Sequence, residues 1–325
     1  MNRKVLLIVI GIISLIVLFL IPYFINLSNS PYAKRSNLKG ALWQSNETVG
    51  YSAIPDTCQV WEDYFGHSYV SECTDTYGGR LIGNRPLSCK RNIFFVGDSL
   101  VWADGIEDTK TFVYLLQEKI GSKRNCVYNF AGSAYSFLQM YLKITGDIAG
   151  LFNPDDILIV GLSADSIMRD IYGPFGQGGN KPKYQFTDKG LKITGFIDTN
   201  QFNSLPVIRR LMNWISGKTK KASLTRLYSY LINDLIEFTK KHHIKLKIVI
   251  LPFEREITTN KKHLAYRIIE ENTPSQYLLN ATEPLRIYRE QGNELSLSGI
   301  YRVHYNYSTQ QFLASFFEKA LEDSF

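Results

Sequence analysis

The sequence predicts an α/β domain built on a doubly wound, mainly parallel sheet. Three observations carry that expectation. Apolar runs at residues 92–96, 126–130, 156–160 and 245–251 are strand-length and flanked by Gly, Pro or polar residues. Amphipathic stretches alternate with them, which points to crossover helices and parallel pairing. Three of the runs end in small or polar residues, at Gly97-Asp98-Ser99, at Asn129 through Tyr135 and at Gly161 through Asp165. Open parallel sheets bind ligands beyond such strand ends.

The elements follow in chain order. Residues 1–4 read as a cytoplasmic tail and 5–25 as a transmembrane helix, because Val5 to Ile21 carries no charge and is extended by Pro22-Tyr23-Phe24-Ile25. Arg3 and Lys4 precede this run and the next basic residue is Lys34, which places the amino terminus inside and the large domain outside, periplasmic or at the cell surface. A cleaved signal peptide after Ser28-Asn29-Ser30 is the rival, opposed by Pro31, and a core helix of a soluble protein is the plain alternative. Residues 26–74 read as a linker and cysteine-containing prelude, and 75–325 as the globular domain. Helices are expected over 108–120, 136–149, 204–216, 222–242, 261–272 and 309–322. Residues 166–203 read as a glycine-rich excursion with a small hairpin around Tyr184–Thr194.

Composition narrows the function. Charged residues make up 21% and hydrophobic residues 45%, which suits a folded domain rather than a disordered chain. The net charge of +7 invites a search for nucleic-acid contacts, but the basic residues are scattered. Their densest cluster, Lys218-Thr219-Lys220-Lys221, falls between expected helices, and no nucleic-acid motif occurs. Cys58, Cys73, Cys89 and Cys126 contain no Cys-x-x-Cys pair, so no thiolate metal site is implied, and the five histidines show no ligand spacing, so no cofactor is implied either. In an exported chain they would pair, and the preferred pairing is Cys58–Cys73 with Cys89–Cys126, the latter tying the entries of two successive strands. Four free buried cysteines in a cytosolic protein are the alternative.

Ser99 follows a buried strand on a glycine-opened turn, the mount an exposed nucleophile needs. His304 lies just before the last helix and is placed to act as its general base. His242 and His243 read instead as cations at a helix end. Asp98 reads as a structural hydrogen-bonding residue rather than a metal ligand.

The stretch Gly97-Asp98-Ser99-Leu100-Val101-Trp102-Ala103-Asp104-Gly105-Ile106, continued by Glu107-Asp108 and Thr111-Phe112, resembles the first block of envelope-associated SGNH (GDSL-type) hydrolases. Asn129-Phe130-Ala131-Gly132-Ser133-Ala134-Tyr135-Ser136 is similar to the second block. Lys181–Tyr184 with Asp188–Leu191 resembles an inserted hairpin, and His304-Tyr305-Asn306 the last block. The resemblance runs from about residue 75 to the end and implies a flavodoxin-like, SGNH hydrolase-like sheet. It implies ester chemistry with Ser99 as nucleophile, His304 as base and the N–H groups of Ser99 and Ala134 as oxyanion donors, Gly132 and Ser163 standing nearby. The substrate it implies is a small ester or an acylated envelope polysaccharide, by hydrolysis or O-acyl transfer.

Three features depart from the pattern, one being the second block's oxyanion glycine, which falls on Ala134. The acid that should precede the histidine is replaced by Tyr301 and Arg302, and the third block's asparagine falls on Ser163 or Ala164. Asp165, Glu254 and Glu256 are the candidate substitute acids. The departures leave open a catalytically impaired protein of the same fold that binds glycan or a partner in an envelope complex, or an anchor whose cleft is unused.

Overall fold

The computed structural model describes residues 42–62, 69–83, 85–86, 88–121, 124–172, 180–188, 190–198, 217–259, 263–297 and 304–322. The transmembrane helix expected at 5–25, the rival signal-peptide site, the helix expected at 204–216, and Tyr301 and Arg302 lie outside them. Among the described residues no helix is long and apolar enough to cross a membrane.

The central sheet has five strands: β5 (Arg91–Gly97), β6 (Asn125–Asn129), β7 (Ile157–Leu162), β10 (Lys245–Ile250) and β11 (Leu278–Asn280). They lie in the order β6-β5-β7-β10-β11, and every pairing is parallel. This is the 2-1-3-4-5 order of flavodoxin-like sheets, and its direction reverses beside β5. Each strand alternates its side chains between two cores. Phe94, Val96, Leu158, Val160, Leu162, Leu246, Ile248 and Ile250 face one of them. Ile93, Phe95, Ile157, Ile159 and Val249 face the other. Strands wetted on neither face must be apolar throughout, which is why the runs were visible in the sequence.

The first face is covered by α3 (Phe137–Leu142), α4 (Ala164–Tyr172), α5 (Gly217–Lys241) and α7 (Leu264–Asn272). The second is covered by α1 (Ser99–Trp102), α2 (Phe112–Ile120), α8 (Thr282–Glu290) and α9 (Tyr307–Glu322), while α6 (Glu254–Ile257) follows β10. Caps locate several starts. Thr111 accepts from the Tyr114 N–H at the head of α2, and Ser136 forms a capping box with Gln139 at the head of α3.

Several expectations change. The helix expected at 136–149 ends at Leu142 and continues as a wider π turn through Asp147. Residues 164–172 are helical rather than part of the excursion, and the hairpin is longer, pairing β8 (Asn180–Thr187) with β9 (Gly190–Asp198). The Lys218–Lys221 cluster lies within α5, not between helices. β11 and α8 were not anticipated. Three residues are too few for a periodic signal, and Pro284 disguises α8, although its first turn tolerates proline.

The described part of the prelude is folded. β1 (Trp43–Asn46) and β2 (Gly50–Ala53) form a hairpin around an Asn46 side chain that accepts from the Thr48 and Val49 N–H groups. Leu42, Val49 and Tyr51 are buried, so this stretch is part of the domain and not a linker. β3 (Cys58–Glu62) and β4 (Tyr69–Cys73) form a second hairpin closed by Cys58–Cys73, with Cα atoms 4.1 Å apart. Cys89–Cys126 joins the segment entering β5 to β6, with Cα atoms 5.6 Å apart. It spans 37 residues, for which chain entropy alone gives about 4 kcal/mol of stabilisation. Replacing both Cys89 and Cys126 by Ser is therefore expected to lower the melting temperature by on the order of 10 °C. A loss below about 2 °C in a calorimetric scan would show that the bridge does not constrain the unfolded chain.

Candidate active site

The site forms where β5, β6 and β7 end. Gly97 allows the chain to turn sharply there, since a Cβ would sit 2.3 Å from the Val101 Cγ2 and 3.0 Å from the Gly161 carbonyl. The chain then enters α1, with Ser99 as its first residue. Asp98 caps this turn, its Oδ1 accepting from the Leu100 N–H at 3.0 Å. Its Oδ2 accepts from the Ser163 hydroxyl and from Arg169 at 3.3 Å. Asp98 is thus a fully buried structural carboxylate joining the ends of β5 and β7.

The end of α1 is held by one buried cation. Arg80 pairs with Asp108 at 2.9 Å through Nε, and its guanidinium donates to the Trp102, Ala103 and Ile106 carbonyls. Ala103 closes α1 in the left-handed conformation at φ 64°. The following residue, Asp104, donates its N–H to the Ser99 carbonyl at 3.1 Å.

His304 reaches this turn from the far end of the chain. Its Nε2 lies 3.8 Å from Asp104 Oδ2, and that same oxygen accepts from the Ser133 hydroxyl at 2.6 Å. Ser99, Asp104, Ser133 and His304 are each less than 10% exposed, so charge acts here with little screening by water. His304 is held by its own main chain, whose carbonyl accepts from the Leu297 N–H at 2.8 Å. Next to it, the buried Tyr305 hydroxyl donates to the Pro252 carbonyl at 2.6 Å.

The three expected substitute acids are engaged elsewhere. Asp165 pairs with Arg255 at 3.3 Å on the surface, and Glu254 with Arg289 at 3.3 Å. Glu256 accepts from the Phe253 N–H at 2.9 Å and from the Tyr266 hydroxyl at 2.5 Å. Tyr266 in turn accepts from the Ala164 N–H at 3.1 Å, so a tyrosine engages the backbone where an asparagine was expected. Burial, and then the Glu256 carboxylate, push the Tyr266 phenol far above its ordinary range and keep it protonated.

Two of the candidate oxyanion groups are also committed. The Gly132 N–H donates to the Gly97 carbonyl at 3.0 Å, and the Ser163 hydroxyl donates to Asp98. Ser99 and Ala134 remain. Among the described residues, neither N–H is hydrogen-bonded to a protein acceptor. Ala134 lies in the left-handed region at φ 62°, a conformation that loop contacts must hold in a non-glycine residue.

Sequence reasoning missed Asp104, Arg80 and Lys181. Asp104 was quoted only as part of the first block, although a carboxylate so close behind Ser99 was the available signal. Lys181 stood in the hairpin. Its buried ammonium donates to the Ala134 carbonyl at 2.6 Å and to Gln139. Burial, with Arg169 nearby, pulls its pKa well below that of an ordinary lysine.

The 2-1-3-4-5 sheet order, with Gly97-Asp98-Ser99 at the end of β5, is the flavodoxin-like arrangement that the resemblance to SGNH hydrolases implied. Solved structures similar to it include an α/β hydrolase from the metagenome of Lake Arreo, Spain, 14% identical over 72% of this chain and 96% of that one, at a TM-score of 0.45. An acetyl xylan esterase is 14% identical over 71% of this chain and 99% of that one, also at 0.45. A member of the lipolytic protein G-D-S-L family from Veillonella parvula is 12% identical over 71% of this chain and 97% of that one, at 0.42. No protein-family model matches the chain, and no curated protein does.

Proposed function

We propose that the protein is a serine esterase or O-acyl-transfer enzyme, tethered outside the cytoplasm by residues 5–25 and acting on acylated envelope polysaccharide. The observation that carries the catalytic part is the approach of His304 to Asp104, on the turn that follows Ser99, from the other end of the domain's sequence. His304 takes the Ser99 proton, and Ser99 Oγ attacks the acyl carbonyl. The N–H groups of Ser99 and Ala134 receive the charge on the carbonyl oxygen. Collapse of the tetrahedral intermediate expels the alcohol, protonated by His304, and leaves an acyl ester on Ser99. Water then releases the acid, or a sugar hydroxyl carries the acyl group away. Asp104 stabilises the imidazolium during both proton transfers. The apolar run at 5–25 and the two disulfides support the placement outside the cytoplasm.

The alternative, a glycan- or partner-binding protein without turnover, draws on the missing acid before His304 and the missing asparagine of the third block. The Asp104 carboxylate, 3.8 Å from His304 Nε2, supports the enzyme reading as the partner of an imidazolium. The two readings separate in one experiment on the full chain in detergent. A fluorophosphonate probe is expected to label Ser99, p-nitrophenyl acetate to be turned over, and both signals to vanish in Ser99→Ala. Equal turnover in both proteins, with no label on Ser99, would sink the enzyme reading.

A further inference from the structure

In the loop after β6, the carbonyls of residues 132–135 are all held by hydrogen bonds. The Gly132 carbonyl accepts from the Tyr135 N–H at 3.0 Å, and the Tyr135 carbonyl accepts from Arg169 at 3.0 Å. The Ser133 side chain is tied to Asp104 and the Ala134 carbonyl to Lys181. The remaining carbonyl, that of Ser133, accepts from the Tyr51 hydroxyl at 2.6 Å. This last bond acts on a particular peptide. The Ser133 carbonyl and the Ala134 N–H belong to one planar unit and point in opposite directions. Holding the carbonyl against Tyr51 fixes the direction of the N–H.

Tyr51 is well built for that task. It comes from β2 of the N-terminal hairpin and is 1% exposed. Its ring is wedged edge-on against Trp43 at 5.7 Å and Tyr135 at 5.2 Å. Its own carbonyl accepts from the Tyr135 hydroxyl at 2.8 Å. Burial raises the phenol far above its ordinary pKa, so it stays a donor. A donor on the carbonyl also polarises the peptide so that its N–H donates more strongly.

We infer that Tyr51 is a positioning residue of the oxyanion site, holding the Ser133–Ala134 peptide so that the Ala134 N–H meets the charge that develops on the substrate carbonyl. The inference rests on the reading of Ser99 as nucleophile and Ala134 as second oxyanion donor. It gives the N-terminal hairpin a catalytic purpose as well as a packing one.

The test uses the full chain with Tyr51→Phe, which keeps the ring and removes the donor. With p-nitrophenyl acetate, kcat is expected to fall by about tenfold while KM moves by less than about twofold, because only the transition state carries the charge. Labelling of Ser99 by a fluorophosphonate should slow by a similar factor. Replacing Tyr51 by 3-fluorotyrosine, a stronger donor of nearly the same size, should hold kcat at or above the wild-type value. That variant decides the matter should Tyr51→Phe not fold. A kcat within about twofold of wild type in Tyr51→Phe, or a clear fall with 3-fluorotyrosine, overturns the assignment. If Ser99 labels normally and Tyr51→Phe is unchanged, only the role of Tyr51 falls. If the wild-type protein itself shows no labelling at Ser99, the nucleophile reading falls and takes this role with it.

Discussion

Asp104→Asn is expected to lower kcat by about 10²–10⁴ while leaving KM within about threefold. The substitution keeps the size of the side chain and an oxygen that can accept from Ser133. It removes the negative charge that lies 3.8 Å from His304 Nε2. When His304 takes a proton, that charge becomes the partner of an imidazolium. At an effective dielectric constant of about 20 the pair is worth roughly 4 kcal/mol, or about 10³ in rate. Both side chains are about nine-tenths buried, so little of this is lost to solvent. The charge on His304 that Asp104 meets develops in the proton-transfer step, so the effect belongs to kcat. Steady-state kinetics with p-nitrophenyl acetate, beside circular dichroism of the folded variant, decide the point. A kcat within about threefold of wild type would mean that Asp104 is only a hydrogen-bond acceptor for Ser133.

Arg80→Met is expected to cost about 3–5 kcal/mol of stability, read as a shift in the urea midpoint. Arg80 is fully buried, and its guanidinium serves Asp108 and three carbonyls at once. Methionine fills much of the volume but leaves the Asp108 carboxylate and those carbonyls without their donor. Asp108 already bears a desolvation cost that raises its pKa, opposed by the Arg80 charge, and would lose that compensation. Arg80→Lys should rescue little, because an ammonium cannot present the planar fork that reaches all four acceptors. Combining Arg80→Met with Asp108→Leu should recover part of the loss, since the stranded charge is gone while the carbonyls stay unpaired. A loss below about 1 kcal/mol for Arg80→Met would show that water replaces the guanidinium at the end of α1.

The contrast between these residues and Ser99 reflects how far each signal travels along the chain. The strand runs and the Gly97-Asp98-Ser99 turn at the end of one of them could be read locally, because burial on both faces demands unbroken apolar stretches. The position of His304 before the last helix was visible for the same reason, as a motif beside an amphipathic segment. What His304 faces was not visible. Asp165, Glu254 and Glu256 were sensible candidates by their positions at strand ends, yet arginines and Tyr266 hold them. The carboxylate that does approach lies in the first block, 200 positions away along the chain by number, and no period or spacing links the two.

The same holds for the prelude. Residues 43–53 lack the length and pattern of an independent hairpin, and read as linker. They become strands because Val49 and Tyr51 fill a core that the rest of the chain has already enclosed. By itself, the sequence determined the class of fold, the order of its main strands and helices, and the turn on which Ser99 sits, since these follow from side-chain periodicity and from a glycine where a Cβ would not fit. Only the tertiary structure decided which carboxylate meets His304, which cation secures the turn and which hydroxyl holds the Ser133–Ala134 peptide. Those are contacts between distant segments, and they depend on how two cores close around one sheet.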